Sequence, residues 1–82
     1  MALGTDVTSI QRDAWSGRVY AELRDRRIVS FAADGSDLVT FQTAPALGRM
    51  AIAPDGHLYH LSSGAPWFGL AEIVRWPLPT EL

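Results

Sequence analysis

Short apolar bursts that alternate with polar residues constrain this chain more than any other feature. "VTSI", "RVYAEL", "RIVSF", "DLVTF", "RMAIA", "HLYHL" and "EIVRW" follow one another, separated by Gly, Pro, Asp and Ser. Apolar side chains at every second residue turn one face of an extended strand toward a core, whereas a helix needs a 3.6-residue period over a longer stretch. No stretch offers that longer period, so the sequence predicts an all-β fold. The turns agree. "ADGSDL" places Asp34 and Gly35 where a tight hairpin needs positive φ, joining strands around Val29 and Val39. "APDGHLYHL" sets a second turn on Pro54, Asp55 and Gly56, directly before a strand centred on Leu58 and Tyr59.

That second turn has an earlier counterpart in "DAWSGRVYAEL". Gly17, Val19 and Tyr20 match Gly56, Leu58 and Tyr59 at an offset of 39 residues (56 − 17), and "ALG" occurs at 2–4 and again at 46–48. A period of this size is typical of one four-stranded propeller blade. The phasing predicts a single domain over 1–82 made of two units, about 5–45 and 46–82. In the first, strand a runs from Val7 to Arg12, b from Arg18 to Leu23, c from Arg27 to Phe31 and d from Leu38 to Phe41. The second begins at Arg49, and its end has two readings. "EIVRW" at 72–76 matches "RIVSF", making it strand c and leaving a fourth position that the N-terminal segment of another copy would fill. It also matches "LVTFQTAP", making it strand d with "PWFGLA" as strand c.

Composition narrows the function classes. A chain of 82 residues, 48% hydrophobic and 20% charged, is one small ordered domain, of a size that commonly needs disulfides, metals or oligomerisation for support. It has no cysteine, which excludes disulfides and thiolate metal sites. Net charge is −2, and the seven basic residues, all arginine, are spread from Arg12 to Arg75. Nucleic-acid binding wants a basic stripe, and none is present. The cluster Arg24, Asp25, Arg26, Arg27 reads as a solvated loop with an internal ion pair. "MALGTDV" lacks a charged n-region and a long apolar core, so no signal peptide is read there, and no apolar run approaches a membrane span. The expectation is a soluble chain with no nucleic-acid or membrane partner and no assigned compartment.

"RMAIAPDGHLYHL" together with "RIVSFAADGSDLVTF" resembles the NHL and YWTD-like six-bladed propellers, and "IVRWPLPTEL" is similar to the blade ends of streptogramin lyase-type propellers. The resemblance covers nearly the whole chain and speaks to fold far more than to function. The polar residue that often follows the strand b tyrosine in these families is replaced around Glu22-Leu23 and His60-Leu61, and no family catalytic residue carries over. What the resemblance implies is an all-β chain of two four-stranded antiparallel propeller blades. Propellers have 4 to 8 blades, so two alone leave blade faces and edges uncovered. Completion by homo-oligomerisation follows, with three copies giving six blades through heterologous contacts. A two-blade fragment of a longer propeller, or an engineered unit derived from one, equally predicts assembly.

In such propellers the d-to-a and b-to-c loops gather on one face, here "QTAPAL", "RDR" and "SSGAPWFG". Trp67 and Phe68, between Pro66 and Gly69, suit stacking on a sugar ring or gripping a small apolar molecule, with Arg24 and Arg26 as polar partners; capping a blade junction is the alternative. His57 and His60, three apart in a strand, point to opposite faces and cannot share a metal. Asp34, Ser36 and Asp37 lack the further ligands that a calcium loop needs. No metal or cofactor is expected. Trp15, Trp76, Tyr20 and Tyr59 suit packing between blades, while Glu22 and Glu72 have no nucleophile or acid placed beside them by sequence. There is also no phosphate loop and no GxSxG elbow. Three functions remain: an oligomeric binding module, a scaffold whose only activity is assembly, and a lyase- or lactonase-like enzyme. The enzyme ranks last, because a homo-oligomer repeats only two blades where such active sites draw on several different ones.

Overall fold

The computed structural model describes residues 5–62 and 72–78. Seven strands account for most of them: β1 (Val7–Arg12), β2 (Val19–Leu23), β3 (Arg27–Phe31), β4 (Val39–Thr43), β5 (Gly48–Ile52), β6 (His57–Ser62) and β7 (Glu72–Pro77). They form two antiparallel sheets in simple sequence order, β1-β2-β3-β4 and β5-β6-β7. The all-β class and the strand boundaries of the first sheet match the sequence reading to within about two residues. No helix among the described residues is long and apolar enough to cross a membrane.

The turns form where left-handed backbone is affordable. Gly17, Gly35 and Gly56 adopt φ of 80°, 88° and 81°, a region that costs glycine little. Asp34 holds the β3–β4 hairpin by accepting bonds from the Ser36 amide (2.9 Å) and hydroxyl (2.6 Å). The Asx-type bond is why Asp initiates turns so readily. At the β5–β6 turn the Asp55 carboxylate accepts the His57 amide at 3.0 Å, and the Asp25 carboxylate accepts the Arg27 amide at 3.1 Å between β2 and β3.

The second sheet is the one whose end had two readings. Among the described residues it has three, and β7 is paired with β6 along its whole length, from Ser62↔Glu72 to His57↔Pro77. That continuous ladder seats β7 directly against β6, whose other edge is taken by β5, and "PWFGLA" lies outside the described residues. Of the two readings of residues 72–76, the third-strand position is therefore the one adopted.

The sheets pack face to face. Even-numbered positions of β2 and β6 meet in the interface, where Tyr20, Ile28, Met50, Leu58, Ala44 and Leu78 form a buried cluster flanked by Phe41, Ile52 and Trp76. Tyr20 packs edge-on against Phe41 (5.2 Å between centroids), which packs edge-on against Trp76 (6.1 Å). Perpendicular rings bring the positive edge of one to the negative face of the next. On the opposite face of the first sheet, Ala21, Leu23 and Val29 form a second buried cluster with Phe31 beside it. Strands β1 and β5 approach each other across the interface, and only residues 44–47 connect the sheets in the chain.

Candidate functional site

Arg24 and Arg26 lie in the β2–β3 turn, at the end of the molecule that also carries the β4–β5 connection. Arg24 is largely exposed, with its Nε 3.5 Å from Asp6 Oδ2, a surface pair of little energetic weight. Arg26 adopts φ 76° and donates from Nη1 to the Pro45 carbonyl at 3.2 Å. Its backbone closes the end as well, since Ala44 N donates to Arg26 O at 2.8 Å. Trp67 and Phe68, expected to join these arginines in a ligand site, lie outside the described residues. The expected ion pair of this cluster is Arg27 with Asp25, at 2.8 Å. The Arg27 side chain holds the Asp25 carboxyl below its ordinary value.

Inside the sheet interface is a group of polar side chains that the sequence did not bring together. Glu22, His60 and Ser62 are 0%, 0% and 1% exposed. His60 Nε2 donates to Glu22 Oε2 at 2.6 Å, and His60 Nδ1 lies 2.9 Å from Ser62 Oγ. Thr8 Oγ1 (3.3 Å) and the Gly48 amide (3.4 Å) approach Glu22 Oε1. No buried side-chain nitrogen or oxygen among the described residues is left without a partner. Acid, imidazole and hydroxyl recur in nucleophilic enzymes, where a reacting carbonyl must reach the hydroxyl. Here the hydroxyl is sealed in the core, so the trio serves as a buried polar clamp between β2 and β6. The sequence places His60 on the face of the strand opposite His57, but its partner, 38 residues away, was not expected.

The opposite end of the interface opens into a cleft of about 710 Å³. Its walls are the β1–β2 turn, from Gln11 to Trp15, and the β5–β6 turn, from Ile52 to Gly56, with Leu78 at its base. Trp15 was expected to pack between blades. Within the chain it stands 95% exposed on the turn, because the turn is held by Asp13 and leaves the indole outside. Trp76 and Tyr20 do take the expected packing positions.

No protein-family model, curated protein or solved structure matches this chain. Function must therefore be argued from its own geometry. His57 and His60 occupy opposite faces of β6 as the spacing required; His57 Nδ1 is 3.5 Å from Asp55 Oδ1, whereas His60 is in the core. No group of three potential metal ligands occurs among the described residues. Asp55 also accepts the Tyr59 hydroxyl at 2.6 Å. This bond, helped by the His57 amide, holds its carboxyl below the ordinary value. Burial pushes the Tyr20 phenol the other way, upward, with Ser30 and Arg18 opposing.

Proposed function

We propose that this chain is a self-assembling two-blade module that completes a β-propeller by homo-oligomerisation, three copies supplying six blades, and that the ring presents small-molecule or glycan pockets on its loop face. The observation that carries the reading is the opposed placement of two matched tyrosines. Gly17 and Gly56 align the two sheets through equivalent positive-φ turns, which makes Tyr20 the counterpart of Tyr59. Tyr20 is buried in the interface with Leu58, yet Tyr59 alternates with Leu58 and so lies on the far face of the second sheet. An ordinary two-fold sandwich would bring both tyrosines into the same interface. Matched faces pointing the same way round are the relation of successive units in a rotary stack, and such a contact repeats until a ring closes.

The free faces fit that repetition. Leu61 and Ile73, cross-strand partners on the far face of the second sheet, are 46% and 69% exposed. Ile10, on the far face of the first sheet opposite Ala21, is 58% exposed. The register supports their equivalence: His60 pairs with Met50 as Ala21 pairs with Ile10, and Leu58 pairs with Trp76 as Val19 pairs with Phe31. The face that already packs in the second sheet thus has a chemically similar counterpart on the first, where Ile10 is exposed while Ala21, Leu23 and Val29 are already buried within the chain. Arg24, exposed at the loop end, is available to the proposed pocket.

Light scattering across a dilution series tests the assembly. A stable trimer is the expected result; a folded monomer at all concentrations overturns the ring. The acid–imidazole–hydroxyl group found among the described residues is shielded from any substrate, so no catalysis is proposed on it.

A further inference from the structure

We infer that the cleft between the β1–β2 and β5–β6 turns is a saccharide-binding site, with Trp15 as its stacking platform. This site lies at the opposite end of the molecule from Arg24 and Arg26. It is complete within one chain, so it does not depend on ring formation.

Trp15 carries an exposed indole on a firmly held stretch of backbone. Asp13 is almost buried and fixes the turn through both carboxylate oxygens: the Trp15 amide donates to Oδ1 at 3.1 Å and the Ser16 hydroxyl to Oδ2 at 2.7 Å. The backbone closes around the same residue, with Gly17 N donating to Asp13 O (2.7 Å) and Asp13 N to Arg18 O (2.9 Å). Ser16 Oγ accepts the Arg18 amide at 3.2 Å as well. The backbone on either side of Trp15 is therefore specified by five bonds, while its side chain contributes nothing to the core at 95% exposure. A large ring presented on a fixed support loses little conformational freedom when a ligand stacks on it.

The rest of the cleft defines what would stack. Its apolar lining comes from Ile52, Ala53, Pro54 and Leu78, and its volume of about 710 Å³ lies within the usual range for small-molecule sites. Arg12 and Gln11, which also line it, offer donors, and the Gln11 amide an acceptor as well. The Asp55 carboxylate is engaged instead by Tyr59 Oη and the His57 amide. A pyranose has this same division, with C–H groups on one ring face and hydroxyls around its edge that both donate and accept. An anion would use Arg12 but leave the indole and the apolar lining uncovered, and a purely apolar ligand would leave Arg12 and Gln11 unpaired. An uncharged sugar satisfies both.

The test follows the indole N–H resonances of the full chain by NMR, the Trp15 signal being identified by its absence in Trp15→Phe. Cellopentaose, maltopentaose and mannopentaose are titrated to about 10 mM, since exposed stacking sites bind single glycans weakly. At least one should shift the Trp15 signal saturably. Trp15→Ala should then weaken binding at least tenfold with unchanged folding, and Gln11→Ala should weaken it less. The ring-face variant Ile73→Glu should bind normally, which separates this site from the assembly. The inference is overturned if Trp15 responds to none of the three sugars, if Trp15→Ala binds as tightly as the parent, or if choline chloride shifts the indole and the sugars do not.

Discussion

Glu22 Oε2 and His60 Nε2 lie 2.6 Å apart in the fully buried interface, tying β2 of one sheet to β6 of the other. Removing either member leaves a polar or charged group without its partner in a dry core, which typically costs about 3–5 kcal/mol. Glu22→Ala and His60→Ala should each lower urea-unfolding stability by about that amount, enough to unfold a domain of this size under mild conditions. Glu22→Met combined with His60→Leu should regain most of the loss, because replacing both partners removes the desolvation penalty together with the bond. A double variant no more stable than the singles would show that the trio is not the coupled unit described.

Gly48 makes a sharper prediction than the glycines of the turns. A Cβ on Gly48 would sit 1.9 Å from the Leu61 carbonyl oxygen, inside the β5–β6 ladder, and its amide approaches Glu22 Oε1. Gly48→Ala must therefore displace backbone, and overpacking of this kind costs about 1–3 kcal/mol or more. Gly56→Ala meets open space and only the penalty of φ 81°, about 1–2 kcal/mol. Thermal unfolding of the two variants should rank Gly48→Ala as the more damaging.

Asp55 gives a pH dependence of known sign. Its carboxyl is held below 3.8 mainly by the Tyr59 hydroxyl, so the native turn favours the ionised form. A depressed pKa contributes stability that is present above the unfolded value and disappears as pH falls through the folded one. The stability difference between the parent and Asp55→Asn should be constant near neutrality and shrink below about pH 4. A difference that persists unchanged into acid would show that Asp55 acts without its charge.

The proposed ring contact can be broken from one side. Leu61→Glu with Ile73→Glu puts two charges on the far face of the second sheet, where both side chains are substantially exposed in the single chain. The monomer fold should survive while the solution mass falls to that of one chain. Retention of the assembly in this variant would place its interface elsewhere.

Much of this architecture could be read from local signals. Two-residue alternation located the strands, and Asp34-Gly35 and Pro54-Asp55-Gly56 located turns, because both depend on neighbours in the chain. The role of residues 72–76 could not be read, since "EIVRW" suits a third or a fourth strand equally and only its ladder with β6 decides. The Glu22–His60 pair was hidden for a similar reason. Each is polar in an alternating strand, where the same pattern describes a solvent face, and their meeting depends on which faces of two sheets come together. The position of Trp15 within the chain was not legible either, since the Asp13 turn that carries it involves Ser16 and Gly17 and no apolar partner.

The separation between ladders and clamp also bears on the order of folding. Every described strand pairing joins consecutive elements, so hairpins have short loops to close and can form early. Glu22 and His60 meet only when two finished sheets expel water between them. Their bond is thus a late event, and substitutions there should accelerate unfolding while leaving the refolding rate nearly unchanged. The clamp acts as a latch on the native state, setting how long a folded molecule lasts more than how quickly one is made.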